Sequence, residues 1–443
     1  MAIADDKSLL QLFADVMSEE QWRELEGKGK GAQIYTLRVV VGLMLLQRMN
    51  DRGSQQVVVE QMAAGKWDGW LPDCKRVREG KISLNTGAYA RACGRTSLEV
   101  VEKVCDQFLA ELGQRIEPDP ELKIPLFLLD GSSLQLEHAP GLLEDFPPGH
   151  NQHGEGHWGI VKWVTLHDLQ TGIALRPAWD AMYGPKAVSE QQLAAQVLRR
   201  APAGSVIVAD SNFGVFYFAY LVVQNHHQAL FRLTKERAHA LGARELLPTG
   251  ERRIVWRPSP YERRKHPELP EDAQIEGRLI AVTRPGLRET LYLFTTLQDP
   301  LEKIVALYAQ RWNLEVDLRT LKGTMRLQHL RGKSTEAVEK ELLIAVVAYG
   351  LVRAFMALAA QRAGLHPRRL SFTRAYSLSN LMIGELCAAR SEQREQAYDR
   401  LLDFIGQSKL PKRSKPRTYP REVWGGGKYY PRRGSPSKNA QSK

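Results

Sequence analysis

Residues Ile124–Ser133 read IPLFLLDGSS, an apolar run that stops at Asp130-Gly131-Ser132-Ser133. This predicts a buried strand over Ile124–Leu129 with a carboxylate and small polar residues at its carboxyl end. Upstream, apolar residues recur at helical spacing in Leu9–Met17, Leu37–Met49 and Leu98–Leu112, with Gly, Asp and Pro breaks between them. Downstream, Trp158–His167 and Gly172–Trp179 alternate as a hairpin around Asp168-Leu169-Gln170-Thr171. Ser189–Arg200 then reads as helix, Val206–Ala209 as a short buried strand ending in Asp210, Phe213–Gln224 as helix and Ala229–Leu233 as strand.

Strand, hairpin, helix, strand, helix, strand is the order of an RNase H-like α/β domain. Residues 234–300 break that rhythm with three strand-like segments, Arg252–Arg257, Ile275–Thr283 and Thr290–Leu297, and read as a β-rich insertion. A helix over Pro300–Arg326 and an apolar helix from Val338 to about Ala363 follow. The expected layout is α/β. A helical domain over 1–120, with DNA contact as one reading, precedes the first part of the catalytic domain over 121–233. The insertion over 234–300 and the catalytic helices over 301–365 come next. A helical region over 366–405, for dimerisation or DNA contact, and a basic disordered tail over 406–443 complete it.

The chain has 443 residues, enough for two or three cores, and its net charge of +12 is unevenly placed. Eleven Lys and Arg against one acidic residue lie between Gly406 and Lys443. A Pro-, Gly- and Ser-rich basic arm suits either nonspecific contact with a polyanion or plain solubilisation. No uninterrupted apolar run approaches the length of about 20 residues that a membrane span needs. The N-terminal residues show no secretory pattern, so a cytoplasmic, nucleoid-associated protein is expected. Cys74, Cys93, Cys105 and Cys387 lack metal-ligand spacing and read as buried free thiols. His150, His153 and His157 sit in a Gly-rich loop without nearby Cys and read as a solvated or DNA-facing loop.

Tyr308, Arg311, Glu315 and Lys322 follow one another at steps of three, four and seven. On one continuous helix these steps bring all four into a sector of roughly 60°, beside an apolar stripe of Leu307, Leu314, Leu318, Leu321 and Met325. A carboxylate among cations suits a metal ligand next to phosphates, although on an isolated helix it would read as a surface ion pair. With Asp130 and Asp210 it makes three carboxylates from separate segments, able to hold hard divalent cations through oxygen.

Asp130-Gly-Ser, Asp210-Ser-Asn-Phe-Gly and Tyr308-x2-Arg311-x3-Glu315-x6-Lys322 resemble the three motifs of bacterial insertion-sequence transposases of the insertion-sequence-four branch. The resemblance spans about residues 124–350. It implies a DDE catalytic domain of RNase H-like fold with a β-rich insertion before the glutamate. It implies Asp130, Asp210 and Glu315 as the catalytic, metal-binding triad for two Mg²⁺ ions, with Mn²⁺ able to substitute. Tyr308, Arg311 and Lys322 would contact the DNA backbone. Trp256, among Arg252, Arg253 and Arg257, and Trp312 are expected as DNA contacts, each Trp set against a core reading. Cut-and-paste transposition through a hairpinned end follows, on double-stranded transposon-end and target DNA, by a homodimer assembled on DNA and without a membrane. A nuclease lacking strand transfer, or a noncatalytic DNA-binding regulator, are the alternatives. One departure is visible: family members commonly have Arg-Gly after the second aspartate, and this chain has Ser211-Asn212.

Overall fold

The computed structural model describes residues 18–26, 34–50, 53–67, 70–118, 124–152, 154–246, 249–283, 289–387 and 391–411. Leu9–Met17 and His153 lie outside them. The chain divides into Met1–Lys409 and Leu410–Lys443, and every element below belongs to the first unit.

Eight strands form one sheet: β1 Leu126–Gln135, β2 Ile160–Asp168, β3 Ala178–Ala181, β4 Val206–Ala209, β5 Gln228–Leu233, β6 Gly250–Trp256, β7 Ile275–Val282 and β8 Leu291–Thr295. Their spatial order is β3-β2-β1-β4-β5-β8-β7-β6. β1, β2 and β3 are antiparallel neighbours, whereas β4 pairs in parallel with both β1 and β5. The β-rich segment therefore extends the same sheet, because β8 pairs antiparallel with β5 and carries β7 and β6 outward.

Side chains alternate between the sheet's faces. Leu126 and Leu128 of β1 join one core with Val206, Val208 and Leu230, while Phe127 and Leu129 join a second with Ile207, Ala209 and Phe231. The second core is closed by helices Glu190–Leu198 and Phe216–Gln224. The first is closed by helix Thr335–Arg362, which packs against Leu37–Met49, Leu98–Gln114 and Ser391–Gln407. Gly350 permits one of those contacts, since a Cβ there would lie 2.8 Å from Cδ2 of Leu109. Helix Thr335–Arg362 is apolar and long enough to cross a membrane, but its most apolar stretch is 94% buried in the protein. Its composition reflects a core surrounded on all sides. Each fully buried Leu or Val there contributes about 1.5–3 kcal/mol.

Several expected boundaries move. β1 does not end at Leu129 but runs through Asp130 to Gln135, because β2 keeps pairing with it as far as Gln135 opposite Ile160. The helix expected over Pro300–Arg326 is two helices, Leu301–Ala309 and Trp312–Lys322. A tighter turn joins them: Gln310 and Arg311 donate their N–H groups to Leu307 and Tyr308, three residues back. Gly406 and Gln407, assigned to the tail, complete the last helix, and 412–443 lie outside the described residues.

Candidate active site

β1 passing straight through Asp130 determines the geometry. Leu129 lies opposite Ala209 in the parallel register, so Asp130 and Asp210 follow side by side where β4 ends. By the alternation of β1, Asp130 and Ser132 fall on the face of helix Trp312–Lys322, and Gly131 on the face of helix Glu190–Leu198. The contacts agree. Nη1 of Arg311 lies 3.7 Å from Oδ2 of Asp130, its Nη2 donates to Oε1 of Glu315 at 2.7 Å, and Nζ of Lys322 donates to Oγ of Ser132 at 3.1 Å. Arg311 thus stands between the first and third carboxylates.

Burial, with Asp210 and Glu190 nearby, raises the Asp130 carboxyl to about 6 against the opposing pull of the Gly131 N–H and Arg311. Burial also pushes the Tyr308 phenol up to about 12, against Arg311 and Arg232. Arg311 is held above its usual value: burial opposes its charge, but Tyr308, Glu315 and Asp130 outweigh that. Burial lowers Lys322. Among the described residues no three His, Cys, Asp or Glu side chains are gathered closely enough to hold a metal ion in this arrangement, in which Arg311 separates Asp130 from Glu315.

The turn after Asp210 is held by a set of hydrogen bonds from its own residues and their neighbours. The Asn212 N–H donates to Oδ1 of Asp210 at 2.8 Å, Gln191 Nε2 donates to the Asn212 carbonyl at 2.8 Å, and Asn212 Nδ2 donates to Oε2 of Glu190. Nη1 of Arg237, from the helix after β5, donates to the carbonyls of Ser211 at 2.6 Å and Gly214 at 3.2 Å.

Glu190 was missed in the sequence, where a first-turn acid reads as an ordinary complement to the helix dipole. Ser189 and Gln192 form a capping box that starts this helix at Glu190. The Glu190 carboxylate then lies over Gly131, where a Cβ would stand 2.7 Å from Oε1. Burial and Asp210 raise the Glu190 carboxyl, opposed by Lys162 and Asn212.

Asp317 was also missed. Two residues past Glu315 it is wholly buried, bonded to Nη2 of Arg353, to Nη1 of Arg368 at 3.1 Å and to Nη2 of Arg368 at 3.0 Å. Burial raises this carboxyl, but Arg353, His167 and Arg368 outweigh it and hold it well below the usual range. The cluster ties the Glu315 helix to helix Thr335–Arg362. A lone acid in the apolar stripe and a lone arginine in an apolar helix were the available signals.

Trp256 is corrected. It is 5% exposed, edge-on to Phe216 and Phe294 in the second core, and offers no ring face to a base. Arg252 is engaged by Glu245 and the Leu241 carbonyl, each at 2.8 Å, while Arg253 is exposed on β6. Trp312 is 55% exposed beside Arg311.

The family model described as Transposase DDE domain matches residues 121–351. The chain belongs to the DDE transposase family. It is 28% identical over 352 residues, 76% of each chain, to "Transposase InsG for insertion sequence element IS4" of Escherichia coli (strain K12), which agrees with the insertion-sequence-four branch. DDE transposases act on DNA and generally use divalent metal ions. The matched span contains Asp130, Glu190, Asp210 and Glu315.

Proposed function

We propose that the protein is a cut-and-paste DNA transposase whose catalytic carboxylates are Asp130, Asp210 and Glu315. The observation that carries this is Arg311 lying between Asp130 and Glu315 while Asp210 follows in register beside Asp130. The order of the first five strands, two antiparallel partners on one side of β1 and two parallel strands on the other, supports the RNase H-like reading.

The donor set is hard oxygen; the Asp130 carboxyl is raised first by burial and then by the nearby Asp210 and Glu190, whose repulsion a cation would relieve. Asp130, Asp210 and Glu315 would hold two Mg²⁺ ions, which would activate the attacking hydroxyl and stabilise the leaving oxygen in phosphodiester displacement. Arg311, released from the carboxylates, would turn its planar guanidinium to a backbone phosphate, with Lys322 as a point charge beside it. Tyr308 is nearly covered and backs Arg311. Trp312 and Arg253 remain available to DNA. The freed 3′-hydroxyl would attack the opposite strand to give a hairpinned end and later the target. Two ends cut together call for a dimer on DNA, with the N-terminal helices as the expected DNA-reading domain.

The test is Mg²⁺-dependent nicking, hairpin formation and joining of a labelled transposon end into plasmid. Glu315→Gln should lose roughly a thousandfold or more in cleavage, several kcal/mol of charge stabilisation, while retaining DNA binding. Hydrolysis without joining would reduce the reading to a nuclease, and unchanged cleavage by Glu315→Gln would overturn the assignment.

A further inference from the structure

The carboxyl ends of β1, β4 and β5 form a row. Leu129 pairs in register with Ala209, and Ala209 with Phe231, so the next residues along the three parallel strands are Asp130, Asp210 and Arg232. Phe231 and Leu233 enter the second core, and alternation turns Arg232 to the opposite face, which it shares with Leu230 of the first core. Helix Leu301–Ala309, whose Ile304 and Tyr308 belong to that first core, packs on β5. The electrostatics agree: beyond burial and Arg311, the Tyr308 phenol feels both Arg232 and Asp210.

The cations around this edge are not equally engaged. Arg311 is held by Asp130 at 3.7 Å and Glu315 at 2.7 Å, Lys322 by Ser132 at 3.1 Å and Arg237 by the Ser211 carbonyl at 2.6 Å. Arg232 differs. It is exposed, and among the described residues its guanidinium makes no hydrogen bond or ion pair, even with Asp210 next to it in the row. Ligands of parallel sheets bind at the carboxyl ends of the strands, where this row lies. A DNA backbone brought there is repelled by Asp130 and Asp210, and a guanidinium one strand further along offsets that repulsion. Its planar fork matches two phosphate oxygens at once, and no existing partner has to be given up to make the contact.

We propose that Arg232 binds a backbone phosphate next to the DNA bond that is cut, and does so before Arg311 leaves its carboxylates. The contact rests on the reading of Asp130, Asp210 and Glu315 as the cleavage site. The test is fluorescence anisotropy of the full chain, in EDTA, with labelled transposon-end duplexes that each carry one neutral methylphosphonate near the cleaved bond. In the parent, the substitution at one position should weaken binding about tenfold, the scale of a charge-assisted hydrogen bond. In Arg232→Met that position-specific loss should disappear and overall affinity should fall about tenfold. The slope of log affinity against log salt should also become shallower by about 0.9. Arg232→Lys should restore the slope but only part of the affinity, because a point charge replaces the fork. A merely structural role would lower affinity without abolishing the loss at one phosphate. Cleavage by Glu315→Gln tests the carboxylates separately. If that cleavage is lost but Arg232→Met keeps the loss at every position, or keeps the parental salt slope, the Arg232 contact alone is overturned. If Glu315→Gln cleaves as the parent does while Arg232→Met abolishes the position-specific loss, the phosphate contact stands and the carboxylate assignment falls.

Discussion

The Glu190 carboxylate lies over Gly131 so closely that a Cβ on residue 131 would stand 2.7 Å from Oε1 and 2.8 Å from Cδ. Gly131 therefore leaves room for the Glu190 side chain beside the strand that carries Asp130. Gly131→Ala should displace Glu190 and, through Asn212, the turn that positions Asp210. We expect a loss of cleavage of roughly a hundredfold, as when a catalytic group is misplaced by about 1 Å. The double variant Gly131→Ala/Glu190→Ala should regain part of it; no recovery would show that the close approach is incidental.

Asp130 predicts a stability cost of function. Its folded carboxyl is raised from 3.8 to about 6, so the folded state holds the proton more tightly than the unfolded chain. The associated stability is present below pH 4 and is lost as pH rises through about 6. Without divalent cations, Asp130→Asn should be more stable than the parent at pH 8 by on the order of 1–3 kcal/mol. The difference should vanish toward pH 4. Urea denaturation in EDTA at the two pH values measures it, and a variant less stable at pH 8 would contradict the electrostatic account.

Asp317→Asn should destabilise the protein by about 3–5 kcal/mol, because Arg353 and Arg368 would face a neutral group in a buried site. Thermal unfolding checks it. Cleavage should also fall, since the same helix carries Glu315.

The two tryptophans should separate cleanly. Trp256→Ala should cost about 3–5 kcal/mol of stability by opening a core cavity between Phe216 and Phe294. Trp312→Ala should leave the melting temperature unchanged and weaken DNA binding by about 1–3 kcal/mol if a base stacks on it. An unchanged DNA affinity would remove Trp312 from the DNA surface.

Much of this was legible in advance because it is local. The spacing of Leu37–Met49, the run Val206–Ala209 and the capping pair Ser189 and Gln192 each encode their own element within a few residues. Two boundaries were not legible for reasons outside their segments. β1 extends past Asp130 because β2 supplies hydrogen bonds there, and the break at Gln310–Arg311 interrupts an unbroken helical pattern. Glu190 was invisible because its role comes from a glycine 59 positions away in the chain. Trp256 was misread because its neighbours Arg253 and Arg257 are exposed, whereas Trp256 and Ile254 take the strand's other side, towards the core.

By itself, then, the sequence determined the order of strands and helices, the residue types at Asp130, Asp210 and Glu315, and the motif that marks the family. Those depend on periodicity and spacing, which are properties of neighbouring residues. Only the tertiary structure decided that Asp130 and Asp210 end side by side, that Arg311 stands between two carboxylates, that Glu190 lies beside them and that Trp256 is buried in the second core. Each of those depends on strand register and on which face a side chain takes, and both are set by partners distant in the chain.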